Sequence, residues 1–279
     1  MPELPEVETI RRGVAERIVG RTIQALAVRR TDLRWPVPEV TLRQKVIGKT
    51  ILKVERRGKY VLLACPNGFI LLHFGMTGGV RWVRPDAPWE KHDHVALELD
   101  NNLTLRFYDP RRFGALLWVD PPWESHPLLA NLGVEPLGEA FHGDHLFAAS
   151  RNRRVSVKGF LMDAKMVVGV GNIYANEALF LAGLHPERPV DQLTLDDCQR
   201  LAQTVRELLS AAIAKGGTTF RDYRDSDGNM GYFKMDLHVY QRQGEPCFTC
   251  NSPIQMTRSH GRSTFHCPAC QKPVRSPWP

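Results

Sequence analysis

Apolar residues recur at Val7, Ile10, Val14 and Ile18, the spacing of one face of an α-helix. Pro5 suits the first turn, Glu6 and Glu8 place negative charge at the positive end of the helix dipole, and Gly20 supplies a stop. The pattern predicts a helix behind a very short amino-terminal stretch. From about residue 21 to residue 119 the period shortens to that of strands. Residues 60–64 and 69–72 flank Pro66-Asn67-Gly68, and residues 95–99 meet 103–107 across Asp100-Asn101-Asn102, so both pairs read as hairpins. This stretch predicts a β-sandwich with flanking helices.

Between about residues 121 and 143 Pro, Gly and His accumulate and the periodicity fails, as in a linker. Beyond it the chain turns helical. A short helix is predicted from Ile173 to Leu181, ending at Gly183. A longer one, capped by Thr194, carries Leu201, Val205, Leu208 and Ala212 on one face and stops at Gly216-Gly217. Two helices joined by a long turned connection resemble a helix-two-turn-helix unit. The expected architecture is therefore multidomain α+β. It comprises an N-terminal β-sandwich domain at 1–135, a linker at 136–150, a helical domain at 151–236 and a C-terminal β-hairpin zinc finger at 237–279.

Composition narrows the classes. No apolar run approaches the roughly 20 residues that a membrane helix needs, and the start lacks a basic then apolar leader, so a cytoplasmic protein is expected. A net charge of +7 favours a polyanionic partner, and its distribution says more than its total. Arg56-Arg57-Gly58-Lys59, Arg111-Arg112 and Arg151-Asn152-Arg153-Arg154 form local clusters, each suited to phosphates or to a solvated face.

The most specific chemical motif is Cys247-x2-Cys250-x16-Cys267-x2-Cys270. Four thiolates in two CxxC knuckles match tetrahedral zinc, and with every position filled no site is left for a catalytic water, so one structural Zn2+ per chain is expected. Two disulfides are the competing reading, a poor one in a cytoplasmic chain. Thr257-Arg258-Ser259-His260-Gly261-Arg262 between the knuckles suits a hairpin with a basic tip. Cys65 and Cys198 read as packing residues. Gly169-Val170-Gly171-Asn172 is not a dinucleotide loop, because Tyr174 occupies the third glycine position and no βαβ alternation surrounds it; no organic cofactor is expected. It remains a glycine-rich turn at a helix start, fit either for a phosphate or for structure alone. His92 and His94 could ligate a metal from one strand face, but no third ligand with convincing spacing accompanies them.

Loss of Met1 ahead of the small Pro2 would expose a secondary amine, which forms an iminium with an aldehyde carbon without passing through a neutral imine. Glu3 and Glu6 could move protons around it. On physical grounds alone, an ordinary frayed terminus competes strongly with this reading.

Pro2-Glu3-Leu4-Pro5-Glu6-Val7-Glu8-Thr9, Gly58-Lys59-Tyr60, Asp109-Pro110-Arg111-Arg112-Phe113-Gly114, Val168-Gly169-Val170-Gly171-Asn172-Ile173-Tyr174-Ala175 and the four-cysteine finger occur in this order along almost the whole chain. Together they resemble bacterial formamidopyrimidine-DNA glycosylase.

The resemblance implies an enzyme that excises oxidised purines from duplex DNA through the Pro2 nitrogen and then cuts the strand by β- and δ-elimination. By the same resemblance Glu3 protonates the opening sugar ring, Glu6 supports the site, and Glu8 acts as a helix N-terminal charge. Lys59 lies near the lesion and its phosphate, Lys158 and Asn172 hold phosphate beside the helix-two-turn-helix, and Arg262 is the finger-tip arginine at the scissile phosphates. His92, Arg111 and Arg153 match DNA contacts. Met76, Arg111 and Phe113 match a trio that fills the void left by an extruded base, and residues 221–234 match a loop that closes over 8-oxoguanine. The implied partner is double-stranded DNA with oxidised bases or abasic sites, bound by a nucleoid-associated monomer. An endonuclease VIII-like enzyme acting on oxidised pyrimidines is the alternative within the family; Leu4, the trio and the long loop favour the purine branch. A non-catalytic zinc-finger DNA-binding protein is the alternative from another class, and it would have no need of Pro2 and Glu3 at its terminus.

Overall fold

Val7, Ile10, Val14 and Ile18 are all buried on one face of α1 (Leu4–Ile18), so the apolar period does form the helix, and Gly20 follows it in a left-handed conformation at φ 79°. The structure is a computed structural model and describes residues 2–216, 237–259 and 261–272. It divides into two units, the first running to Asn131 and the second comprising Leu132–Ala214 together with the described residues from 237 onward.

The first unit holds two four-stranded antiparallel sheets. One has the order β1 (Ile23–Val28), β6 (Asp93–Leu99), β7 (Thr104–Tyr108), β5 (Gly79–Val83). The other runs β2 (Lys53–Arg57), β3 (Tyr60–Cys65), β4 (Gly68–His73), β8 (Ala115–Val119). The β3–β4 hairpin pairs Tyr60 with His73 and Cys65 with Gly68, and its turn falls at the predicted Pro66-Asn67. Both sheets and α1 contribute to one apolar core that includes Ile10, Val14, Leu63, Ile70, Leu97 and Phe107. A short helix, α2 (Glu39–Val46), interrupts the stretch that the period assigned to strands. Its eight residues bury only Leu42 and Val46, too few to write a helical period into the sequence.

The second unit contains α3 (Gly143–Ser150), α4 (Val157–Met162), α5 (Asn172–Leu181) and α6 (Leu195–Ala214), followed by the hairpin of β9 (Gln255–Ser259) and β10 (Arg262–His266). α3 lies inside the segment read as a linker and packs on α6. Thr194 caps α6 as its sequence suggests: its Oγ1 accepts the Asp197 N–H at 3.1 Å, and Asp197 Oδ2 accepts the Thr194 N–H at 3.1 Å. A reciprocal box of this kind stabilises a helix start by about 1 kcal/mol. Among the described residues no helix is long and apolar enough to cross a membrane.

Candidate functional site

Pro2 is half-buried at the head of α1, with two carboxylates directly behind it, Glu3 and Glu6, each 2% exposed. They form a capping box in which Glu6 Oε2 accepts the Glu3 N–H at 2.8 Å and the Glu3 carboxylate accepts the backbone N–H of Glu6. The helix start thus fixes both acidic side chains beside the terminal residue. Glu8 has a different task from the N-terminal charge expected of it. It receives Arg11 at 2.9 Å, Arg12 at 2.9 Å and Arg56 of β2 at 3.1 Å, which ties the helix to the sheet. Burial works to raise the Glu8 pKa, but the hydrogen bonds from Arg11 and Arg12 and the charge of Arg56 outweigh it and hold it below the usual carboxylate value.

Lys59 follows Gly58 in the tight β2–β3 turn, where Gly58 sits at φ 56°. Its charge is felt at His73, at the end of β4. Burial first, then Lys59 and Arg34, push the His73 pKa down to about 4, so the ring is neutral at physiological pH. The Gly75 N–H donates to His73 Nδ1 at 3.2 Å, which leaves the ring proton on Nε2, and the ring lies 4.9 Å from that of Tyr60. Nothing in the sequence singled out His73, since a histidine at a strand end carries no distinctive signal.

Two neighbouring loops carry the expected trio. Met76, 41% exposed, lies on the turn between β4 and β5, and Phe113, 40% exposed, lies between β7 and β8. The Arg111 guanidinium rests 4.7 Å from the centroid of the Phe113 ring. The loops touch through their backbones. A Cβ built on Gly75, itself at φ 59°, would come within 2.7 Å of Gly114 N, so only glycine permits this approach. Arg111, Phe113 and Arg34 also line a groove of about 460 Å3. His92 is partly exposed just ahead of β6, and its carbonyl accepts the Asp109 N–H at 3.0 Å. The His94 ring instead donates through Nε2 to the Asp109 carbonyl at 2.8 Å.

In the second unit three predicted residues converge. Lys158 of α4, 3% exposed, donates to the Ser263 carbonyl at 2.9 Å and to Thr264 Oγ1 at 2.7 Å, while Asn172 Nδ2 at the start of α5 donates to the same Ser263 carbonyl at 3.0 Å. Arg262, exposed at the start of β10, is the neighbour of Ser263, and with Lys158, Met162 and Asp163 it lines a pocket of about 270 Å3. Arg153 stands apart on the exposed turn ahead of α4. The loop at 221–234 lies outside the described residues.

The same helix α5 supplies two residues that sequence reasoning passed over. Asn176 Oδ1 accepts the Phe265 N–H at 2.8 Å. The Glu177 carboxylate, 1% exposed, accepts the N–H groups of His238, Val239 and Tyr240 at 2.7, 2.9 and 2.8 Å. Replacing Glu177 by Gln turns one acceptor oxygen into a donor facing those N–H groups. Thermal unfolding should then show a loss of roughly 2–4 kcal/mol, whereas an unchanged midpoint would deny Glu177 this anchoring role.

The four cysteine sulfurs lie within 4.8 Å of one another, with Cys247 to Cys270 at 3.9 Å and Cys250 to Cys267 at 3.4 Å. These separations are far too long for disulfide bonds. They do suit four bonds of about 2.3 Å to one tetrahedral ion, whose ligand sulfurs stand about 3.8 Å apart. The residues therefore fit the expected ion, as a possible metal site. Cys65 and Cys198 are buried, and burial pushes each thiol up to about 11, as befits inert packing residues.

Residues 1–116 match the formamidopyrimidine-DNA glycosylase N-terminal domain and residues 132–224 the H2TH domain of the same family. A formamidopyrimidine-DNA glycosylase of Thioalkalivibrio sulfidiphilus is 52% identical over 272 residues, covering 98% of this chain and 100% of its own. A Lactococcus lactis FPG variant in complex with Fapy-dG containing DNA superposes with a TM-score of 0.88 at 34% identity, covering 98% of this chain and 100% of that one. The Lactococcus lactis Fpg in complex with abasic site containing DNA gives the same score and identity over 97% and 100%. The domain matches, the identity along the full length and the shared fold agree: the chain belongs to the formamidopyrimidine-DNA glycosylase family.

Proposed function

We propose that this protein is a bifunctional DNA glycosylase and AP lyase that removes oxidised purines, 8-oxoguanine and formamidopyrimidines, from duplex DNA in base excision repair. The observation that carries the reading is the pair of buried carboxylates, Glu3 and Glu6, locked directly behind Pro2 at the head of α1. The capping box that fixes these acids also holds both beside the terminal amine, where groups able to move protons are needed for attack and elimination.

In the reaction the Pro2 nitrogen attacks C1′ of the damaged nucleotide. The bond from C1′ to the base breaks, the base leaves with a proton, and the sugar ring opens as Glu3 protonates its oxygen. The product is an iminium whose positive charge draws electrons from the sugar, so that β-elimination breaks the 3′ carbon–oxygen bond and δ-elimination the 5′ one. Glu6 keeps Glu3 in place through the capping box. Lys59, Lys158, Asn172 and Arg262 hold the phosphates flanking the lesion, and His92 and Arg153 add contacts to the backbone of the duplex. Cationic and amide groups at a scissile phosphate stabilise the departing charge. Met76, Arg111 and Phe113 fill the void opened when the base is turned out, a step needed because C1′ cannot be reached inside a stacked duplex.

In this reading residues 1–135 form the catalytic domain, 151–236 carry the lesion-recognition loop and 237–279 form the finger. Cys247, Cys250, Cys267 and Cys270 would hold one zinc ion that organises the finger and takes no part in chemistry. The enzyme works as a cytoplasmic, nucleoid-associated monomer. The activity test is product analysis: an 8-oxoguanine duplex should yield a one-nucleotide gap with phosphate on both flanking ends. Preference for an oxidised pyrimidine would favour the endonuclease VIII-like alternative, and binding without cleavage would mark a catalytically silent protein. For the metal, Cys247→Ser or Cys270→Ser should abolish the stoichiometric zinc seen by elemental analysis and weaken DNA binding about tenfold or more. Full affinity in either variant would overturn the zinc assignment.

A further inference from the structure

We infer that Asp109 is a positioning residue that sets the two void-filling loops in register, and that it thereby governs how strongly excision depends on the base opposite the lesion. The inference rests on the proposed role of Met76, Arg111 and Phe113. Asp109 follows β7 and is fully buried, at 0% exposure. Its carboxylate reaches both loops at once. Oδ1 accepts Thr77 Oγ1 from the Met76 turn at 3.3 Å and the Arg111 N–H at 3.2 Å, while Oδ2 accepts the Gly114 N–H at 2.7 Å. Its main chain does the rest. The Asp109 N–H donates to the His92 carbonyl at 3.0 Å, and its carbonyl accepts the Arg112 N–H at 3.2 Å and His94 Nε2 at 2.8 Å.

One residue thus joins these segments, its carboxylate those that bear Met76, Arg111 and Phe113 and its main chain the one that bears His92. A carboxylate is suited to this because both oxygens accept only, and here every partner on them is a neutral donor. Burial of the charge makes the arrangement expensive to leave half-made. The loops cannot drift independently, since Gly75 lies against Phe113 and Gly114 while Gly114 lies against the His73 carbonyl; a Cβ on Gly114 would come within 2.5 Å of that oxygen. Arg112, at φ 58° between Arg111 and Phe113, is held by Asp109 on one side and by the Arg34 N–H on its carbonyl, at 2.9 Å, on the other. The loop that presents Arg111 is therefore set from below by Asp109.

The test compares wild type with Asp109→Asn and Thr77→Val, in single-turnover excision of 8-oxoguanine opposite cytosine and opposite adenine, and in borohydride trapping on a preformed abasic site. An abasic site has no base to turn out, so it leans less on the loops. Asp109→Asn presents an amide to a backbone N–H. It should slow excision opposite cytosine by on the order of tenfold, shrink the cytosine-to-adenine ratio, and lose far less of its trapping at the abasic site. Thr77→Val, which cuts one tie and leaves the charge in place, should move the ratio in the same direction by a smaller amount. Absence of excision by the wild type would refute the proposed function itself. Wild-type activity with an unchanged ratio in both variants would overturn the role of Asp109, and so would a uniform loss of excision and trapping. Should Asp109→Asn fail to fold, the ratio in Thr77→Val decides.

Discussion

Borohydride added during turnover on an 8-oxoguanine duplex is expected to freeze a covalent adduct, and peptide mapping is expected to place it on Pro2. The reason lies in proton availability. An α-amino group with a pKa near 8 is about one-tenth unprotonated at pH 7, against roughly one in 2,500 for a lysine near 10.4. A terminal amine therefore starts with a large advantage over Lys59 as nucleophile, and as a secondary amine it leads straight to a charged iminium that reduction can trap. Two variants sharpen the point. Blocking removal of Met1, or replacing Pro2 by Gly, should cut trapping by about 100-fold or more while DNA binding survives, because neither change touches the residues proposed to hold phosphates. The intact mass of the purified protein should show the loss of Met1. An adduct mapped to a lysine would refute the assignment of Pro2.

What could be read in advance follows from how local each signal is. α1 was legible because Val7, Ile10, Val14 and Ile18 repeat the helical period and all four are buried. The β3–β4 hairpin was legible because Pro66-Asn67-Gly68 marks its turn between two apolar runs. The cysteines were legible because two CxxC knuckles demand a shared ligand, and their sulfurs do gather. α2 and α3 were not, for each has only eight residues and neither presents a sustained apolar stripe. The buried polar residues were least legible of all. Glu177 meets partners at least 61 positions away, Asn176 meets Phe265 at a separation of 89, and Asp109 meets Thr77 at 32. No local period encodes such pairings, so a lone acid in the sequence looks the same whether it caps a ribbon or faces water. Pro2 is a different case: Glu3 and Glu6 beside it are acids suited to moving protons, yet only the resemblance distinguished it from an ordinary terminus.

Excision of the lesion paired with cytosine should be much faster than excision of the lesion paired with adenine, and Arg111 should be the reason. Its guanidinium is exposed and rests on the Phe113 ring at 4.7 Å, while its backbone N–H is held by Asp109 at 3.2 Å, so both ends of the residue are restrained. A guanidinium only donates. Cytosine left without its partner offers acceptors to it, whereas adenine presents an amino group where the guanidinium also carries hydrogens. The discrimination has a use, because adenine opposite 8-oxoguanine marks a completed misincorporation, and removing the lesion there would make the mutation permanent. Arg111→Ala should slow excision opposite cytosine and shrink the ratio between the two substrates, each lost polar contact costing roughly 1–3 kcal/mol, or about 5- to 150-fold. Phe113 alone would still fill part of the void, so excision opposite adenine should fall less. Single-turnover rates on the two duplexes measure this directly. Equal rates in the wild type, or a ratio unmoved by Arg111→Ala, would reduce Arg111 to one more phosphate contact and leave the partner base unread by this loop.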